Sequence, residues 1–296
     1  MIGGSWQRIV IKVGSALIAP EGKGTSTRYL LAVARFISEC KLRGVEVVLV
    51  SSGSVAAGRP DIPFAHQPLP INVKQAMAAI GQTRMMALWS RLLDWPCAQI
   101  LLTHDDLSDR KRYLNIDNTL RTLLAHGALP IVNENDTVAT KELKVGDNDN
   151  LAAMVATVVE ADALAGGSHH NVGTGGMVTK LQAADKATAV GIDTLIINGQ
   201  RSDTFDALLR GFAVGSHFVA RHGSLSSKKH WLLHTSKASA QIVLDRGAVT
   251  ALQHKGASLL AKGVVGVNGD FDKGDAVWLV DEEGRNIAKG VSQYSA

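Results

Sequence analysis

Residues 8–13 read RIVIKV and close on Gly14, and residues 45–50 read VEVVLV and close on Ser51-Ser52-Gly53-Ser54. Both are short β-branched runs with too few polar residues to leave one face in water, as expected of strands covered on both sides in a parallel sheet. Between them, residues 27–43 place Leu30, Leu31, Ala34, Ile37, Ser38 and Lys41 at spacings of three and four, and Gly44 follows as a stop. That spacing predicts an amphipathic helix. A strand, a crossover helix and a second buried strand form the repeating unit of an α/β protein.

The alternation continues outward. Residues 72–93 read as a helix, 98–102 as a strand, 117–125 as a helix and 129–132 (LPIV) as a buried strand. Residues 137–145 alternate like a β-hairpin, 148–160 and 177–190 read as helices, and 194–197 (TLII) as a strand. The expected body is a three-layer α/β/α sandwich with a mainly parallel sheet. After Ser226 the pattern changes to SSKKHWLL, QIVLDRGAV, GVVGVNGDF and DAVWLVDEEGRNIAKGV, short strands broken by Gly- and Asp-rich turns. A small β-barrel fits these. The boundary falls within 221–227, giving domains over 1–225 and 226–296.

The composition, 46% hydrophobic and 20% charged over 296 residues, is that of a folded chain. A net charge of +4 favours anionic partners without naming one. Cys40 and Cys97 stand alone with no CxxC or Cys/His spacing, so two reduced thiols are expected and a zinc site is not. The N-terminus lacks a secretion-signal pattern and no apolar run approaches the ~20 residues of a membrane span. A soluble cytoplasmic protein is the expectation.

In an open parallel sheet ligands lie at the carboxyl ends of the strands. There the chain places Lys12-Val13-Gly14-Ser15, Ser51 to Ser54, Asn133-Glu134-Asn135-Asp136 and Gly146-Asp147-Asn148-Asp149. Ser51 to Ser54 allows close backbone approach to an anion, although a Ser-capped turn has the same appearance. The run Asn133 to Asp136 directly after a buried strand must bond within itself or to a ligand, because each unpaired buried group costs ~1–3 kcal/mol. Gly173 to Lys180 (GTGGMVTK) is a glycine-rich loop entering a helix with a lysine in its first turn, suited to phosphates but not a Walker sequence. Lys12 and Lys180 read as two cations converging on phosphates. Adjacent His169 and His170 lack partners for a metal, and no hydrolase motif is present.

These segments together, IVIKVGSALI, VEVVLVSSGSVAAGR, KQAMAAIGQ, LLTHDDLSDRKRYLN, PIVNENDTVA, KVGDNDNLAAMVA and VGTGGMVTKLQAADKA, resemble the amino-acid kinase family, and within it the members that phosphorylate glutamate. The resemblance covers nearly the whole chain. It implies phosphoryl transfer from ATP, with Mg²⁺, to the γ-carboxylate of L-glutamate at the start of proline biosynthesis. By that resemblance Lys12, Lys180 and Asp149 are catalytic. Lys12 and Thr174, Gly175, Gly176, Met177, Val178, Thr179 and Lys180 contact the nucleotide, and Ser52, Gly53, Asp136 and Asn148 bind glutamate. No metal-ligand set is implied, since phosphates and water would hold Mg²⁺. The resemblance further implies a homodimer or homotetramer and proline as a feedback inhibitor. The C-terminal segment resembles a PUA domain, ending before its usual last strands. RNA binding by that domain is the alternative from another class, but Lys228, Lys229, His230 and Arg246 are few, and aromatics beyond Trp231 and Trp278 are scarce.

The chain departs from the family at one place. After the helix ending near Glu160 the family has an apolar strand, a Thr/Ser-Asp pair at the nucleotide and a loop. Here only Asp162-Ala163-Leu164 and AGGSHHNVGTGG occur, too glycine-rich to read as a strand. Loss of a sheet strand exceeds the ~5–15 kcal/mol that holds a domain together. The expectation is therefore an interruption between Leu164 and Ala165, with Cα atoms farther apart than the ~3.8 Å of a trans peptide.

Overall fold

The computed structural model describes residues 6–20, 22, 24–64, 68–139, 148–168, 176–212, 214–221, 231–232, 236, 238, 240–255 and 259–296. Contacts divide the chain into two compact units, one of residues 1–103 and 116–225, the other of 104–115 and 226–296.

In the first unit β1 (Arg8–Val13), β2 (Glu46–Ser51), β3 (Cys97–Leu102), β4 (Leu129–Glu134), β5 (Ala163–Ser168), β6 (Asp193–Asn198) and β7 (Ser216–Phe218) form one sheet in the order β3-β4-β2-β1-β5-β6-β7. Every pairing is parallel except that of β7 with β6. The helices up to residue 209 are α1 (Ser15–Ile18), α2 (Leu30–Leu42), α3 (Ser54–Gly58), α4 (Ile71–Leu92), α5 (His104–Ser108), α6 (Arg110–Ala125), α7 (Asn148–Val158), α8 (Gly176–Ala189) and α9 (Ser202–Leu209), of which α5 and the start of α6 cluster with the second unit. Ile9, Ile11, Val13, Val47, Leu49, Leu129 and Ile131 turn one sheet face onto Leu30, Val33, Phe36 and Ile37 of α2, Met85 and Trp89 of α4 and Phe205 of α9. The opposite face, with Val10, Val48 and Val50 fully buried, is covered by α7 and α8. Burial on both faces is what made β1 and β2 uniformly apolar. Cys40 and Cys97 are free thiols, and burial pushes Cys40 up to about 12 and Cys97 upward.

Four expectations change. β5 is a strand, pairing with β1 on one side and β6 on the other, with Leu164 and Ala165 as consecutive partners of Val10 and Ile11. The chain therefore runs unbroken between them. Ala163, Leu164 and Ala165 supply the buried apolar half. A Cβ on Gly167 would lie 3.0 Å from Leu17 Cδ1 and 3.4 Å from Gly199 Cα, so close packing explains Gly167, whereas a Cβ on Gly166 would meet open space. β4 extends through Asn133 and Glu134, whereas the sequence reading ends this strand at residue 132. Asp136–Val138 forms a turn, and the remainder of the expected hairpin, from 140, lies outside the described residues. RGAV belongs to a helix, Arg246–Lys255, and not to a strand.

In the second unit β8 (Ala240–Leu244), β9 (Val264–Asn268), β10 (Ala276–Asp281) and β11 (Asn286–Val291) form a sheet in the order β11-β10-β8-β9. Its core is Ala240, Leu244, Phe271, Val277 and Leu279. Trp231, almost wholly buried, donates its indole N–H to Leu107 O at 2.9 Å and packs its ring 5.6 Å from that of Tyr113.

Candidate active site

The site is assembled where β2 hands over to α3. Ser52 N–H donates to Val13 O at 2.9 Å, extending the β1–β2 ladder one residue past the strand. Gly53 then turns the chain with φ 112°, a conformation that β-carbons oppose. α3 lies close against α4: a Cβ on Gly81 would sit 1.8 Å from Ser54 O, and one on Gly58 1.9 Å from Met77 O. Two glycines face to face thus fix the height of the Ser52-Gly53-Ser54 turn above the sheet.

The other side of the pocket comes from β4 and α7. Asn148 Nδ2 donates to Ser52 Oγ at 2.7 Å and to Asn133 Oδ1 at 3.1 Å. Asn133 Nδ2 in turn donates to Gln82 Oε1 at 3.0 Å. Ser54 Oγ donates to Asp136 Oδ2. Burial raises the Asp136 carboxyl above the ordinary range, and the Ser54 hydroxyl offsets part of that rise. Of the four expected substrate residues, Ser52 and Gly53 lie on one turn, and Asn148 and Asp136 are held against it by hydrogen bonds to Ser52 and Ser54.

Beside them sits a buried charge cluster. Lys12 Nζ lies 2.5 Å from Asp149 Oδ1, and Lys180 Nζ 3.1 Å from Asp149 Oδ2. Thr179 Oγ1 donates to the same Oδ2 at 2.8 Å. Asp149 is 5% exposed. Burial opposes its charge, but Lys12, with Lys180 and Thr179, holds the carboxyl below its usual value. Burial likewise lowers Lys12, against the pull of Asp149. Two lysines around one carboxylate leave a net positive charge, which in low dielectric calls for an anion. A small cavity beside them is lined by residues of β1, β5, β6, α7 and α8, among them Lys12, Asp149, Gly166, Lys180 and Thr194, with apolar neighbours such as Leu164. Gly176 begins α8, while Met177 and Val178 are exposed. Thr174 and Gly175, like His169 and His170, lie outside the described residues. Among the described residues no three His, Cys, Asp or Glu side chains gather as a metal site would require.

Ser54, Asn133 and Gln82 also belong to this assembly; Ser54 and Asn133 lie in the two strand-end runs that the sequence singles out, without a role of their own there. Ser54 was within reach of sequence reasoning, being in the same turn as Ser52. Gln82 was not, since it looks like any helix residue until its partner on β4 is known.

The amino acid kinase family matches residues 7–169, and the PUA domain residues 240–296. The glutamate 5-kinase of Idiomarina loihiensis is 53% identical, over 99% of this chain and 89% of its own length. The chain belongs to the glutamate 5-kinases. The glutamate 5-kinase of Salinibacter ruber is 46% identical over 98% of this chain and 88% of its own, and glutamate 5-kinase 1 of Pseudoalteromonas translucida is 43% identical over 99% and 89%. The alignment with the Idiomarina glutamate 5-kinase runs over 329 positions against 296 residues here, so at least 33 of them face no residue of this chain. Relative to these glutamate 5-kinases the chain is internally shortened.

Proposed function

We propose that the chain transfers the γ-phosphoryl group of ATP to the γ-carboxylate of L-glutamate, giving L-glutamyl 5-phosphate and ADP, the first step of proline biosynthesis. The observation that carries the reading is the Lys12–Asp149–Lys180 cluster set beside the Ser52, Asp136 and Asn148 turn. The acceptor carboxylate, with a pKa near ~4.3, is already ionised at pH 7. No general base is needed, and catalysis reduces to bringing two anions together and neutralising them.

Each residue then has a task. Asp136 takes the substrate ammonium, and Ser52, Gly53 and Asn148 seat the backbone of the amino acid. Asp149 holds the two lysine ammonium groups apart and pointed. Lys12 neutralises phosphate oxygens on the β1 side. Lys180 follows the transferring group, where a glutamate oxygen forms the new P–O bond and the bond to the β-phosphate oxygen breaks. The α8 N-terminus, from Gly176 through Thr179, faces backbone N–H groups toward the phosphates, with Thr174 and Gly175 preceding it. Mg²⁺ bound with ATP would supply further neutralisation of the phosphate charge, and phosphate oxygens and water would hold it.

The reading extends to a cytoplasmic enzyme built as a homodimer or homotetramer, feedback-inhibited by L-proline, with a kinase domain over 1–225 and a PUA-like domain over 226–296. Its support is the family. No helix among the described residues is long and apolar enough to cross a membrane.

Replacing Lys180 by Met tests the chemistry. The charge acts chiefly in the transition state, so kcat for glutamate-dependent ADP release should fall on the order of 10³-fold while glutamate KM changes less than about threefold. A variant whose kcat stays within about threefold of the parent removes Lys180 from the mechanism.

A further inference from the structure

The amides behind the glutamate turn form a directed chain. Gln82 Nε2 donates to Gln99 Oε1 at 3.0 Å, Asn133 Nδ2 to Gln82 Oε1 at 3.0 Å, and Asn148 Nδ2 to Asn133 Oδ1 at 3.1 Å. Asn148 Nδ2 also donates to Ser52 Oγ at 2.7 Å. Gln82 and Asn133 each give through nitrogen and take through oxygen, so a direction set at Gln99 passes through them to Asn148. Asn133 is fully buried and Gln82 is 7% exposed, which leaves water little chance to re-pair them. At the far end, Asn148 Oδ1 is buried and meets no donor among the described residues. A buried acceptor without a donor is a place a ligand completes.

Resting on the glutamate-kinase reading above, we propose that Gln99, Gln82 and Asn133 are positioning residues that hold Asn148 with its carbonyl oxygen open, and that this oxygen accepts a hydrogen bond from the substrate ammonium. Ser52 and Ser54 tie Asn148 and Asp136 to one turn, so a three-fold donor with a positive charge serves both oxygens at once. An acylated α-nitrogen keeps one N–H and no charge, and is selected against. The reverse direction of the same chain would turn Asn148 Nδ2 outward and suit a carboxylate instead.

Gln99 is exposed, so the direction can be set from the surface without threatening the fold. Gln99→Glu can only accept and fixes the observed direction, whereas Gln99→Lys can only donate and reverses it. Gln82→Met breaks the chain at nearly constant volume. Measured by titration calorimetry with L-glutamate, and by the KM values of both substrates, Gln99→Glu should bind within about threefold of the parent. Gln99→Lys and Gln82→Met should each weaken glutamate about tenfold and leave ATP KM unchanged. Lysine as good as glutamate at position 99, or no loss in Gln82→Met, overturns the proposal. So does a parallel loss for ATP, which marks general damage. A parent protein that neither binds nor phosphorylates glutamate overturns the function itself, and is seen before any variant is made.

Discussion

Asp149 is buried and Asp136 partly buried, yet their surroundings push the two carboxyl groups in opposite directions. Asp149 has two lysines and ionises more readily than usual, while Asp136 has one hydroxyl and less readily. For Asp136 the folded-state pKa is raised, so its contribution to stability is present below the unfolded value and lost as pH rises through the folded one. Removing the charge should therefore stabilise the free protein at neutral pH. Asp136→Asn is expected to raise the unfolding temperature at pH 7, to raise glutamate KM at least about tenfold, and to flatten the acid limb of kcat/KM that lies above the ordinary aspartate range. A variant that keeps both the parent limb and the parent KM would remove Asp136 from ammonium binding. The residues legible at this scale were those at strand ends and helix starts, Lys12, Ser52, Asp136, Asn148, Asp149 and Lys180, where a polar residue after an apolar run has few structural excuses. Gln82 was not, because a mid-helix glutamine gains meaning only from its partner Asn133 on β4.

At the scale of elements, Gly58 and Gly81 are what allow α3 to lie so close to α4. A methyl group at position 81 would meet backbone, which cannot rotate away. Gly81→Ala is thus expected to destabilise the kinase unit by about 3 kcal/mol or more, read as a lowered midpoint in denaturant, and to raise glutamate KM by displacing Ser52 and Ser54. Unchanged stability would mean that the crossing is looser than its geometry implies. The pattern of buried strands made the parallel sheet legible from RIVIKV and VEVVLV. It failed at β5, where hydrophobic counting missed a strand with two glycines in six residues, one of which, Gly167, has Leu17 and Gly199 pressed against it. It failed again at RGAV, whose four residues were too few to separate a strand from the first turn of a helix.

The whole chain divides otherwise than its order implies, since residues 104–115 cluster with 226–296. Leu107 and Tyr113 gave no sign of this, because apolar helix residues look alike whichever core they enter. Every residue assigned to the chemistry lies in the other unit. Trp231→Ala should therefore destabilise the second unit by about 3–5 kcal/mol, seen as an earlier calorimetric transition, and leave kcat and both KM values within about threefold. A collapse of turnover before that transition would show that the chemistry depends on the second unit.

The central claim is the acceptor. With ATP and Mg²⁺ present, the acyl phosphate is trapped by hydroxylamine and the hydroxamate formed from L-glutamate is compared with that from L-aspartate and N-acetyl-L-glutamate. The account predicts abundant product from L-glutamate and at least about a hundredfold less from either rival, since one carbon misplaces the carboxylate and an acyl group removes the charge that Asp136 and Asn148 await. Equal or greater product from L-aspartate or N-acetyl-L-glutamate, or ADP release without trapped hydroxamate, would contradict it.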